Sequence, residues 1–201
     1  MSGTYPDTPA PISVSIASAS PSMVSTSHAL NVQTRSRGAQ RWAFVVTYPR
    51  GRPSAEIRAL WAFLIAQKGR AGSFGFRFQT MFNRGTNNNA GLVNGASQAG
   101  QSVVTDGWDA GDVVAAGDFV SFGTQPKVYI ATADCVADGS GNMTLQIVPM
   151  LVAAPVNNAA VNLHRAAGPM TWTCGLTSDS VNIDINHCEK YGLEVELQER
   201  V

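Results

Sequence analysis

The sequence predicts a mainly β protein: a β-sandwich or barrel with one flanking α-helix, plus a small inserted β-module. Three observations predict this. One stretch, residues 53–68, repeats its apolar side chains at the 3.6-residue period of a helix. Most other patterned stretches alternate apolar and polar residues at period two, in short runs parted by Gly, Pro and Asn. An Asn/Gly/Ala/Ser-rich stretch at 83–101 and an irregular one at 152–158 bracket a compact group of such runs. We therefore expect a core domain from residues 1–82 and 165–201. We expect an inserted domain over 83–164, with 83–101 as a flexible linker.

The elements follow in order. The Ser/Pro-rich residues 1–25 read as an arm or an irregular edge strand. Arg41–Tyr48 (RWAFVVTY) is aromatic and β-branched, and Pro49 is expected to end it. In the helix, Ile57, Leu60, Trp61, Leu64 and Ile65 form one apolar stripe. Pro53 suits its first turn, Glu56 and Lys68 suit the two dipole ends, and Gly69 supplies a left-handed stop. Over 73–82, Phe74, Phe76 and Phe78 share one strand face, with Gly75 and Arg77 on the other. Residues 119–122, 127–132 and 144–148 are short strands separated by GTQP and DGSGN turns. Val181, Ile183 and Ile185 alternate with polar residues, as do Leu193, Val195 and Leu197, so each run has one core-facing side.

Composition limits the function. Charged residues are only 14% of the 201, against about 25% in an average domain. The 14 basic residues balance the 14 acidic ones. With 44% apolar residues, this is neither a disordered polyelectrolyte nor a generally basic nucleic-acid binder. A low-charge neutral surface suits a subunit covered by neighbours better than a soluble monomer. The charges are also segregated. Ten basic residues between Arg35 and Arg84 face one acid, Glu56, whereas 106–138 and 179–199 each carry six acids against one lysine. The blocks read either as complementary faces that meet between subunits or as solvated strand faces.

Three cysteines, Cys135, Cys174 and Cys188, form no disulfide framework and suit a reducing compartment. The first residues lack a basic-then-apolar signal pattern, and no apolar run has the ~20 residues of a membrane helix. Synthesis and retention in a cytoplasm, without membrane insertion, are expected.

Catalytic templates fail one by one. There is no G-x-S-x-G elbow. The glycine runs GSFGF and DGSGN lack the lysine and helix of a phosphate cradle. His187 and Cys188 are adjacent, so no short metal-ligand spacing exists. The zinc set to test is His164, Cys174, His187 and Cys188, against small buried hydrophobes. DGSGN has two residues of a calcium loop, Asp138 and Asn142, but reads better as a turn. We expect no catalytic residue, no cofactor and no metal. Trp108, in the turn-rich TDGWDAGD, is the candidate ligand contact, or else a plug closing the small module. The arginines of 35–84 suit non-specific phosphate contact in a channel, not base readout.

The run TRSRGAQRWAFVVTYP carries an R-x-R-G-A-Q-R-W-x-F strand. The helix RPSAEIRALWAFLIAQKGRAGSFGF follows, with an L-W-A-F-L centre and a G-R-x-G-x-F turn. Later come VTDGW, AGDFVSFGTQPKVYIAT, DGSGNMTLQIVPML ahead of Pro-Val-Asn-Asn, and the closing YGLEVELQERV. Over residues 34–201 this resembles the distal-tail-type and related minor tail proteins of tailed bacteriophages. The resemblance implies a tail-tube-like β-sandwich or barrel with one helix. It implies a ring, commonly of six subunits, at the tail tip or baseplate of the virion, assembled in the host cytoplasm. Its partners are copies of itself, the tail tube, the hub and receptor-binding components, with DNA passing transiently through the lumen. The chain departs from that pattern in being short and in carrying its extra domain as an insert.

Charge segregation nominates Arg35, Arg37, Arg41, Arg50 and Arg52 for inter-subunit or lumen contacts, with Glu194, Glu196 and Glu199 opposite them. The rival readings are a glycan-binding module around Trp108, another tail or neck ring adaptor, and a cell-wall hydrolase that lacks a plausible acid pair.

Overall fold

The computed structural model describes residues 3–52, 54–87, 90–166, 168–186 and 190–201, excluding the side chains of 49–52, 54, 185–186 and 190–191. In chain order the elements begin with β1 (Ser13–Ala19), β2 (Ser22–Thr26), β3 (Val32–Ser36), β4 (Arg41–Arg52), α1 (Ser54–Ala66) and β5 (Phe74–Phe76). Next come β6 (Leu92–Val93), β7 (Ser102–Asp106), β8 (Val113–Val114), β9 (Phe119–Phe122), β10 (Tyr129–Ala131), β11 (Cys135–Val136), β12 (Met143–Val148) and β13 (Val161–Leu163). The chain ends with β14 (Trp172–Leu176), β15 (Asp184–Asn186) and β16 (Lys190–Glu199). It is mainly β with one α-helix.

Two units result, Met1–Phe78 with Thr171–Val201, and Gln79–Met170. The junctions fall at 78/79 and 170/171 rather than 82/83 and 164/165. Phe78 stacks on Trp172 at 4.8 Å in the first unit. Asn83 bonds Phe119 in the second, its side chain donating to the carbonyl and accepting from the N–H.

The first unit is an antiparallel sheet in the order β1–β4–β16–β14–β5, with β15 also on β16. Beyond β5, Thr4 bridges Gly75 in parallel. β4 buries Trp42, Phe44, Val46 and Tyr48 at period two, and β16 buries Leu193, Val195 and Leu197. α1 lies against β16 and buries Ile57, Leu60 and Leu64. Phe63 packs edge-on against Phe74 at 5.4 Å and Tyr5 at 6.0 Å.

Several expectations are corrected. β4 runs through Pro49 to Arg52 instead of ending at Tyr48. The β4–β16 register shifts between Tyr191 and Leu193, opposite Arg52 and Tyr48, and such an irregularity accommodates a residue without an N–H. The apolar stripe of α1 is narrower than predicted: Ile65 is 51% exposed, and Trp61 is half-buried, its indole N–H donating to Val181 O at 3.4 Å. Pro53 lies outside the described residues. Lys68 shares the left-handed stop with Gly69. The strand expected over 73–82 is only Phe74–Phe76, and the alternation at 181–185 yields a strand only from Asp184.

The second unit is a six-stranded sheet, β13–β9–β10–β12–β7–β6. Its ends meet. Leu92 bridges Ala160, Val93 N–H donates to Ala159 O at 2.9 Å, and Val161 N–H donates to Gly91 O at 2.8 Å. The sheet is thus nearly closed into a barrel, and most of its edge groups are paired. The interior is Val93, Val103, Val120, Phe122, Tyr129, Leu145, Ile147 and Val161. The segment expected as a flexible linker, 83–101, is therefore part of this barrel. It supplies β6, and Asp118 accepts hydrogen bonds from the N–H groups of Arg84 (2.7 Å), Gly85 (2.9 Å) and Ala115 (2.9 Å). Polar Asn and Gly residues here satisfy turn geometry. Asn88 and Asn89 lie outside the described residues.

Residues 1–25 hold an ordinary edge strand, β1, paired with β4 over its whole length. They also begin the β2–β3 hairpin, whose strands pair only with each other.

Candidate functional site

The hairpin forms because SMVST and VQTRS are β-rich runs joined by a tight SHALN turn. Ser27 organises that turn: its N–H donates to Asn31 O at 3.0 Å, its carbonyl accepts from Leu30 N–H at 2.9 Å, and its hydroxyl accepts from Asn31 N–H at 3.2 Å. Leu30 takes a φ of 60° at the tip. The register pairs Met23 with Arg35, Val24 with Thr34 and Thr26 with Val32. One face therefore carries Met23 and Arg35, and the other is β-branched: Val24, Thr26, Val32 and Thr34. Every residue of both strands is exposed, Val24 and Val32 included, and so is the tip Leu30, at 81%. A lone two-stranded hairpin is marginal in water and normally packs on something.

The nominated charges separate into groups. Arg35, Arg37 and Arg41 are exposed. Arg37 Nη2 approaches Met23 Sδ at 3.1 Å. The side chains of Arg50 and Arg52 lie outside the described residues. Glu194 and Glu196 are exposed on the outer face of β16. With Asp184, Leu176 and Val181 they line a mostly polar groove, and Glu196 accepts a hydrogen bond from Thr177 Oγ1 at 3.0 Å.

Glu199 is a correction. It is fully buried, and its carboxylate accepts from Trp42 N–H at 3.2 Å. Strand alternation explains it: β16 turns 194 and 196 outward and 193, 195 and 197 inward, and Glu199 continues the inward set. It cannot meet a neighbour.

Trp108 is a second correction. It is 4% exposed, and its indole N–H donates to Thr105 Oγ1 at 2.8 Å. The ring lies so close to Gly91 that a Cβ there would be 2.0 Å from Trp108 Cε2. It plugs the barrel and offers no face to a glycan. Asp138 accepts from the N–H groups of Ser140 (2.8 Å) and Asn142 (2.9 Å), which holds its carboxyl below the ordinary range. Its capacity goes into the DGSGN turn.

Of the zinc set, His187 and Cys188 lie outside the described residues, and His164 and Cys174 fall in different units. Burial pushes the Cys174 thiol far up, reinforced by Glu199. His164 is engaged on both nitrogens: Nε2 faces Thr80 O at 3.1 Å and Nδ1 accepts from Met170 N–H at 3.0 Å. Among the described residues, no group of three or more His, Cys, Asp or Glu is placed to hold a metal, and no helix is long and apolar enough to cross a membrane.

The chain matches no protein-family model and no curated protein. What remains distinctive is a basic, partly apolar hairpin and an acidic groove, both on the first unit. Sequence reasoning found the charges but missed the exposed apolar residues of the hairpin: Met23 on the Arg35 face, Val24 and Val32 on the other, and Leu30 at the tip. The available signal was two short β-branched runs flanking a five-residue turn. It named His164 as a zinc candidate but missed its partners, Thr80 and Met170, which are remote in sequence.

Proposed function

We propose that this chain is a structural subunit of a bacteriophage tail, assembling as a ring at the distal tail or tail tip that joins the tube to the hub or receptor-binding apparatus and lets DNA pass. The observation that carries the reading is the β2–β3 hairpin, which the chain itself leaves uncovered on both its β-branched and its arginine-bearing face. Such a surface on a low-charge protein suits a part completed by its neighbours. The resemblance of residues 34–201 to distal-tail-type proteins supplies the setting. The glycan-binding alternative lacks its anchor, because Trp108 is buried.

The test is the solution mass of the intact protein by size exclusion with light scattering, followed by negative-stain imaging. A ring several times 21.2 kDa with an open centre is expected. A 21.2 kDa species at every concentration overturns the reading.

A further inference from the structure

We propose that the β2–β3 hairpin of one copy docks by its arginine-bearing face into the acidic groove of a second copy, between the 177–184 segment and the outer face of β16. This rests on the ring reading and names one pair of surfaces by which neighbouring copies join.

Charge complementarity identifies the occupant. No acidic residue occurs between Asp7 and Glu56, so the hairpin is purely basic. Arg35 and Arg37 are exposed, and no ion pair joins either to a carboxylate among the described residues. The groove is the counterpart: Asp184, Glu194 and Glu196 line it, and no Lys or Arg does. Spacing matches as well as sign. Arg35 lies in β3 and Arg37 one residue past its end, two residues apart as Glu194 and Glu196 are in β16, and two strand residues span about 7 Å. Two guanidinium groups thus meet two carboxylates in register, a pairing that arginine's forked donors favour. Met23 shares the Arg35 face and offers apolar contact to half-buried Val181.

Hairpin and groove are different patches of the same chain. A contact between them is heterologous: each copy gives one and receives one, and the series closes into a ring or runs on as a filament.

The experiment uses the full chain and light scattering at matched concentration. One variant carries Arg35→Glu with Arg37→Glu, and the other carries Glu194→Arg with Glu196→Arg. Each alone is expected to fall to monomer mass, with self-association weakened at least about tenfold, because like charges then oppose each other. Mixed in equal amounts, each variant's hairpin fits the other's groove, and the wild-type mass returns. The milder pair Glu194→Gln with Glu196→Gln preserves side-chain shape and is expected to weaken assembly in the same direction. Circular dichroism confirms that each variant is folded. Wild-type assembly that survives the arginine reversal, or a mixture that stays monomeric, overturns this docking alone. A wild-type monomer overturns the ring reading and the docking together.

Discussion

Gly91 has no room for a side chain, since a Cβ would sit 2.0 Å from Trp108 Cε2 and 2.3 Å from its Nε1. Gly91→Ala should therefore displace the indole and cost the second unit about 1–3 kcal/mol, the usual range for overpacking a core. Urea unfolding of the intact protein reads this, and an unchanged midpoint would show that the ring moves freely. His164 offers a pH test. Nδ1 accepts the Met170 N–H, so the neutral ring is the form that fits, and burial draws its pKa below the ordinary 6.5 against the raising effect of Thr80. The unfolded chain then binds the proton at higher pH than the native one. The stabilisation is present above pH 6.5 and declines as pH falls below it. Melting temperature should drop between about pH 7 and pH 5, with a smaller drop in His164→Gln. Equal drops in both proteins would assign the effect to other groups. The Tyr5 and Tyr48 hydroxyls, bonded at 3.0 Å, are both shifted up by burial, Tyr48 to about 12, so neither ionises in that window.

Helix α1 was legible because its period is regular over thirteen residues, but periodicity does not say how wide the covered stripe is. Leu60 is fully buried while Ile65, one turn on and to the side, is half exposed. Leu60→Ala should cost about 2–5 kcal/mol, whereas Ile65→Ser should stay within about 0.5 kcal/mol, as surface changes do. Denaturant melts of the two variants check this, and a comparable loss in Ile65→Ser would mean that Ile65 is covered by something beyond this chain. The hairpin was illegible for the opposite reason. Its strands show no apolar alternation, since Met23 and Val24 are adjacent and Val32 is the one apolar residue of VQTRS, and its Ser-rich neighbourhood reads as an arm. Glu199 went astray because a carboxylate in a β-strand is normally outward. Here the Trp42 amide satisfies it inside.

The two units are held by different means. The second nearly closes its sheet on itself, with β6 meeting the chain beside β13, and owns a continuous apolar interior. A segment spanning 79–170 should therefore unfold cooperatively when produced alone. A broad, non-cooperative melt would show that the barrel depends on the rest of the chain. The first unit keeps β1 at an edge of its sheet and holds the hairpin outside it. Such unpaired edges are normally covered or blunted, and in the proposed ring this unit is the one that meets its neighbours.

Local chemistry set the mainly β character, the position of α1 and the one-sided burial of β16, because a side chain's period along its own strand or helix is enough to specify them. It also marked residues 83–101 as rich in turn formers. Whether those turns hang free or are tied down depended on Asp118 and Phe119, remote in sequence, and so emerged only once the barrel closed. The same holds for Trp108 as a plug, for Glu199 as a buried acceptor and for His164 between Thr80 and Met170. Each role is defined by a partner from elsewhere in the chain, and pairings of that range come from packing, which no local pattern encodes.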